Sequence, residues 1–387
     1  MMKSKLAPYL LRWRRVPFFS NHRYFGVPTE HESATPAETE DDEQATTSFS
    51  KLQHREDEAE TMAAARDMLS SWFAEQGRQL SSTSSSDSAI ARADGKYKPQ
   101  VFLKSYTFAP FVNESETLQR LVDLGVDLSQ LEGRHNACDV ILKGFVWRNE
   151  FEDWRRDVEP LCAFLLFYGV KVSQLGAYIT KNPWIFQQSL SDLQARVDYL
   201  LSKKFDRDAI GAIVIGARYW LNMQVKTIDE RLGWVQKEFQ LTGDQVRTVI
   251  TACPKLVSLG TGHIQLLKFK FHEQMGFSSE EMKELLLKDP KLWITNGDLL
   301  LQAFDILHNS IGFSHRRILE FPWSMRFPAW KIRQRHGFLQ KLGRDQYDPT
   351  QPNYVSIDRL VSGLDVEFCR RAAKCPVTLY NDYLKSD

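Results

Sequence analysis

The chain has 387 residues, 43% of them hydrophobic and 26% charged, and a formal net charge of +1. That length admits two or three ordinary domains or one long repeat array with a continuous core. Its five cysteines form no CxxC pair and no His-flanked set, which argues against zinc and fits buried thiols acting as small hydrophobes. The near-neutral average hides a sorted distribution. Residues 1–29 hold six Lys/Arg and no acid, and residues 30–100 hold 15 acids against 7 bases.

The first stretch, MMKSKLAPYLLRWRRVPFFSNHRYFG, has the composition of a mitochondrial presequence, which places the mature protein in the matrix. Arg12, Arg14 and Arg15 interrupt the apolar run that a secretory signal would need. Residues 30–100 carry ETEDDE and SSTSSSDS, too polar to offset the entropy of ordering, and are expected to be a mostly disordered linker with one local helix around Ala63 to Phe73. No later run approaches the ~18 apolar residues of a membrane span. The folded part is expected over residues 101–387, ending in a cap from about residue 343.

From there the chain repeats with a period near 36. Pro183, Arg218, Pro254, Pro290 and Pro322 fall at separations of 35, 36, 36 and 32. A turn residue stands fourteen positions ahead of the first four of these slots, at Gly169, Lys204, Gln240 and Gly276, and Gly312 precedes Pro322 by ten. Glycine there suits the left-handed residue that ends a helix. Asp127, Asp206, Thr242, Ser278 and Ser314 are N-cap candidates two residues later, Thr242–Gln245 and Ser278–Glu281 complete capping boxes, and Ser173 substitutes where Lys171 occupies the cap slot. A helix of about ten residues follows each cap until proline stops it. Apolar pairs such as Trp220–Leu221 and Leu292–Trp293 tuck in behind the stop, and a longer helix follows. Its positions ten and seventeen beyond the proline slot are apolar in every unit: Leu193 and Leu200, Ile228 and Val235, Ile264 and Phe271, Leu300 and Leu307, Ile332 and Leu339. Such a unit cannot bury its apolar faces alone, so the fold class is all-α, an α-solenoid of helix–corner–helix repeats. Arg218 in a proline slot leaves that corner either continuous or closed by the Trp220–Leu221 pair alone.

Basic residues concentrate late in the array. Between His315 and Arg344 stand eight Lys/Arg and one acid, Glu320, interleaved with Phe321, Trp323, Phe327, Trp330 and Phe338. Guanidinium groups bridge phosphates and flat rings stack on unpaired bases, so the mixture suits nucleic acid. The aromatic residues occupy slots that other units fill with core residues, and are expected inside. The cations are expected to face the ligand: Arg326, Lys331, Arg333 and Arg335 above all, then Arg316 and Arg317, with Lys255, Lys268, Lys270 and Lys291 as a repeated stripe along the stack. GTGHIQ (260–265) lacks the third glycine of a dinucleotide turn and is expected as a loop; HEQMG is not a zinc-protease motif; neither a phosphate-binding P-loop nor a Gly-x-Ser-x-Gly elbow occurs. Catalysis, cofactors and metals are therefore not expected.

The Pro-x-[Leu/Ile]-apolar corner and the glycine turn together resemble the mitochondrial transcription termination factor (mTERF) family over about residues 100–387, and LGRDQYDPTQPNYVSIDRLV (342–361) is similar to one metazoan branch of it. The resemblance implies a left-handed superhelix whose repeats each hold two α-helices and a short 3₁₀ helix, and nucleic-acid binding in a positively charged groove. For that branch it implies repression from the mitochondrial promoter region and support of mitoribosome assembly. The implied partners are mitochondrial DNA or rRNA and large-subunit components of the mitoribosome, engaged by a monomer away from any membrane. Two other readings stay open on the residues alone. One is an interaction scaffold for mitoribosome biogenesis without direct DNA regulation. The other, one-base-per-repeat RNA reading, lacks polar positions that vary systematically from unit to unit.

Overall fold

The computed structural model describes residues 60–76, 108, 112, 115–134 and 154–386, all inside the unit spanning Asp57–Asp387. The expected presequence, most of the acidic stretch and Cys138 lie outside the described residues. Helix α1 covers residues 60–76 and is longer than the sequence suggested. It is also packed: Leu69 is buried, Phe73 meets Trp154 edge to face at 5.4 Å, and the Arg120 guanidinium lies over both rings. Part of the expected linker therefore belongs to the core.

The array opens with α2 (Glu116–Asp123) and α3 (Leu128–Glu132), and resumes with α4 (Glu159–Phe167) behind a wide turn at Trp154–Val158. Five further units follow, each a first helix, a corner and a second helix. The first helices are α5 (Val172–Lys181), α7 (Arg207–Gly216), α9 (Gly243–Ala252), α12 (Ser279–Lys288) and α14 (His315–Glu320). The second helices are α6 (Leu190–Ser202), α8 (Val225–Glu238), α11 (Thr261–Phe269), α13 (Gly297–Phe304) and α15 (Ala329–Lys341). Short 3₁₀ corners at Pro183–Gln187, Arg218–Asn222, Pro290–Ile294 and Pro322–Arg326 join them, and one α-helical turn, α10 (Lys255–Leu259), serves in the remaining unit. First helices pack on first helices, corners on corners and second helices on second helices, which is the solenoid. Three helices close its end: α16 (Ile357–Val361), α17 (Asp365–Phe368) and α18 (Val377–Ser386).

Each second helix stops the same way. Gly169, Lys204, Gln240, Gly276 and Gly312 all have positive φ, from +50° to +90°. The amide of the next residue returns to a carbonyl of the last turn, as in Val170 N–H to Leu165 O at 3.0 Å and Leu241 N–H to Gln236 O at 2.9 Å. That residue, Val170, Phe205, Leu241, Phe277 or Phe313, is buried. After α4, α6 and α8 this is the Schellman arrangement: the turn satisfies backbone carbonyls while its apolar follower anchors the next helix. In the units of α11 and α13 the second helix ends in wider turns, Lys270–Gln274 and Asp305–Ser310, which still bring Phe271 and Leu307 into the core. All ten periodic positions of the second helices are buried.

The residue before each corner takes one shared non-helical conformation, φ −133° to −145° with ψ 62° to 83°: Asn182, Ala217, Cys253, Asp289 and Phe321. Proline disfavours the helical region at its predecessor, yet Ala217 leaves that region ahead of Arg218 too. The Arg218 corner is thus a full 3₁₀ corner, kept by the burial of Trp220 and Leu221. Asp206, Thr242 and Ser278 cap as expected, the last two in closed capping boxes. Three expectations need correction. Lys171, not Ser173, is the N-cap of α5, and Ser314 holds its cap position without a side-chain bond. GTGHIQ is no loop either: Gly260, at φ +84°, turns the chain once and α11 begins at Thr261.

Candidate nucleic-acid interface

The ten candidate cations separate by what holds them. Arg335 is corrected outright. It is fully buried, and its guanidinium donates to the carbonyls of Leu360, Val361, Ser362 and Gly363 and to the Asp365 carboxylate at 2.9 Å. It satisfies the C-terminal carbonyls of α16 and ties the cap to α15, so it cannot reach a phosphate. Arg317 is likewise structural: it pairs with Glu320 at 2.7 Å, donates to the Tyr354 hydroxyl at 2.6 Å and lies over that ring. Lys268 is bound to Glu238 and Lys270 to Asp298, each joining neighbouring second helices. The stripe expected at these two lysines is therefore neutralised. Lys331 pairs with Asp365 at 3.4 Å, and Arg326 with Asp289 at 2.7 Å.

The Asp365 carboxyl sits below the ordinary carboxylate range: burial pushes it up, but the hydrogen bond from Arg335 and the positive charges of Lys331 and Arg335 outweigh that.

Arg326 has a positional logic that the sequence did not disclose. The residue before one corner binds the fourth residue after the next slot. Asn182 exchanges side-chain hydrogen bonds with Asn222 at 2.9 Å, and Asp289 pairs with Arg326 in the same register. Arg326 therefore staples two corners together while leaving part of its guanidinium accessible.

Four candidates remain exposed with no side-chain partner among the described residues: Lys255, Lys291, Arg316 and Arg333. Lys255 and Lys291 each follow their proline directly, and their two corners stack. Burial raises the Cys253 thiol, the Leu256 amide and the charges of Lys291 and Lys255 lower it, and Asp289 raises it. Through Asp289 the line reaches Arg326, and Arg326 shares a cleft of about 440 Å³ with Arg333. One wall of this cleft is Leu299, Gln302 and Asp305 of the α13 unit; the other is Arg326, Phe327, Trp330 and Arg333. The array thus carries a run of cations from stacked corners into a groove between α13 and α15.

The aromatic residues divide. Phe338 is core, and Phe321, Trp323 and Phe327 are half-buried. Trp330 is 61% exposed, against the expectation that it would be inside. The signal was present in the repeat phase. Eight residues beyond the proline slot the other units carry Ser191, Lys226, Gly262 and Asp298, a solvent position in which only this unit has an aromatic ring.

The mTERF family profile matches residues 155–368, the stretch that holds the repeats, the corners and the cation run. The chain belongs to the mTERF family. Curated relatives agree over most of its length. It is 35% identical over 287 residues to "Transcription termination factor 3, mitochondrial" of Drosophila melanogaster, covering 74% of this chain and 79% of that protein. It is 37% identical to the protein of the same name in Rattus norvegicus and 36% to that in Mus musculus, covering 73% of this chain and 68% and 67% of theirs. This mTERF protein is mitochondrial, as its relatives are, and its repeats are the family's helical solenoid.

Proposed function

We propose that this mTERF protein is a mitochondrial regulator of gene expression that acts by binding nucleic acid and not by catalysis. Its basic N-terminal segment, residues 1–29, directs import, residues 30–100 tether it apart from the packed α1, and the array with its cap from about residue 343 holds the ligand. The observation that carries the reading is a set of unpaired cations: Lys255 and Lys291 on stacked corners, Arg333 in the cleft it shares with the partly accessible Arg326, and Arg316 on α14. An ordinary surface intersperses both signs; here Asp289 and Asp365 are already occupied by Arg326 and by Lys331 and Arg335, and Asp305 is the acid that shares the cleft with Arg333. Unpaired cations in register attract a polyanion by releasing its counterions. Lys255 and Lys291 sit on stacked corners, so the repeat sets their spacing, which suits a regular phosphate backbone.

The ligand proposed is mitochondrial DNA at the promoter region, with repression as the consequence, together with rRNA during mitoribosome assembly. The relatives' names, which speak of transcription termination, support the transcriptional half. Substituting alanine at Lys255, Lys291, Arg316 and Arg333 together tests the reading. Affinity for a duplex should fall by at least tenfold with helicity unchanged; retained affinity would favour the scaffold reading. One observation speaks for that second reading: Leu266, Phe269 and Leu299, on neighbouring second helices, are each more than half exposed.

A further inference from the structure

We infer that the cleft between α13 and α15 is a stacking site for one unpaired nucleobase, so that the favoured ligand carries a looped or bulged nucleotide beside its paired backbone. The inference rests on the nucleic-acid reading above and adds a site to it. Four observations converge on it. The cleft, about 440 Å³, lies in the lower part of the roughly 300–1,000 Å³ range that holds small organic ligands. Trp330 forms part of its wall, 61% exposed, with no ring partner among the described residues. A tryptophan left in water at a position where the sister units carry Ser, Lys, Gly and Asp does not serve the core. Finally, the same wall supplies Arg326 and Arg333, while the opposite wall supplies Gln302 and Asp305.

These groups divide the tasks a nucleotide presents. The indole face stacks on a base, an interaction open to every base because each has a π-face. Phe327 and Leu299 bound the apolar space around the ring. Arg333, exposed and unpaired, takes the phosphate, assisted by the accessible part of Arg326. The Asp305 carboxylate repels phosphate and accepts from base N–H groups, so it orients the nucleotide with its base edge toward α13 and its phosphate toward α15. Helix α15 opens at Pro328 without a capping side chain, and its first-turn amides add partial positive charge on the phosphate side. A fully paired duplex offers no free base face, so it would use only the cation run.

The test uses the full chain and three RNA probes of one sequence: a perfect hairpin duplex, the same duplex with one bulged nucleotide, and the same with an abasic residue in the bulge. The wild type should bind the bulged probe about tenfold more tightly than either other probe. Trp330→Ala should remove that preference while leaving affinity for the perfect duplex and its salt dependence intact, and Trp330→Phe should restore most of it. Equal binding of all three probes by the wild type, with strong salt dependence, would overturn the base site and leave the backbone reading standing. An equal loss on all probes in Trp330→Ala would overturn it also, since the ring would then serve the fold or the backbone. No effect of Trp330→Ala on any probe would return the cleft to a protein side chain. Failure of every probe to bind the wild type would sink the nucleic-acid reading itself.

Discussion

Arg333 and Arg335 stand two residues apart on α15, and helical geometry sends them to opposite fates. A step of two turns the side chain through some 200°, so Arg333 faces the cleft while Arg335 enters the junction with the cap. Arg335→Ala removes a fully buried cation and leaves the carbonyls at the end of α16 without donors. It should cost about 3–5 kcal/mol in denaturant unfolding. Arg333→Ala should change stability by less than about 0.5 kcal/mol and still weaken nucleic-acid binding. Asp365, between Lys331 and Arg335, adds a pH signature. Its folded carboxyl is lowered from the unfolded value, so the stability it contributes is complete above about pH 4, where the unfolded group is ionised. That contribution is lost as pH falls through the lowered folded value. Urea unfolding against pH should show the wild type losing its advantage over Asp365→Asn only in that acidic window. A constant difference between the two from neutral pH to pH 3 would contradict the pairing.

At the scale of the element, corner and turn are separable devices. The residue before each corner takes the same non-helical conformation whether or not proline follows, so Arg218→Pro should be accepted without strain. By restricting the unfolded chain it should raise stability by about 0.4–1 kcal/mol in thermal unfolding; a loss above 1 kcal/mol would show that the Arg218 corner differs from its sisters. The turns give the opposite test. Gln240 holds φ +50°, at a steric cost that glycine avoids. Gln240→Gly should therefore stabilise by a few tenths to about 1 kcal/mol, whereas Gly312→Ala, at φ +87°, should destabilise by about 1–2 kcal/mol. These devices were legible in the sequence because they are local: a proline slot, a left-handed turn residue and a cap act on their own few residues. The destinations of the cations were less legible. Whether a cation is free or paired depends on residues 28 or 30 positions away, as with Lys270 and Asp298 or Arg335 and Asp365. Charge density along the chain therefore marked more cations than the structure leaves unpaired. Trp330 was hidden for the converse reason: aromatic residues are judged inside by type, and only its phase in the repeat marks it as outside.

Across the whole molecule the stacks of first helices, corners and second helices make each unit depend on its neighbours. Removing the cap from residue 343 would uncover α15 and strip Arg335 of its partners, so hydrogen exchange should accelerate first in α14 and α15 and least in α7 to α9. The central claim is that a few unpaired cations on this stack, and not the basic composition as such, hold a polyanion. The direct measurement is the salt dependence of duplex binding by the full chain. Four phosphate contacts predict a slope of log affinity on log salt near −3.6, from about 0.9 per contact. The slope should approach zero when Lys255, Lys291, Arg316 and Arg333 are replaced together by alanine with helicity preserved. A flat slope in the wild type, or an unchanged slope in that variant, would contradict the account.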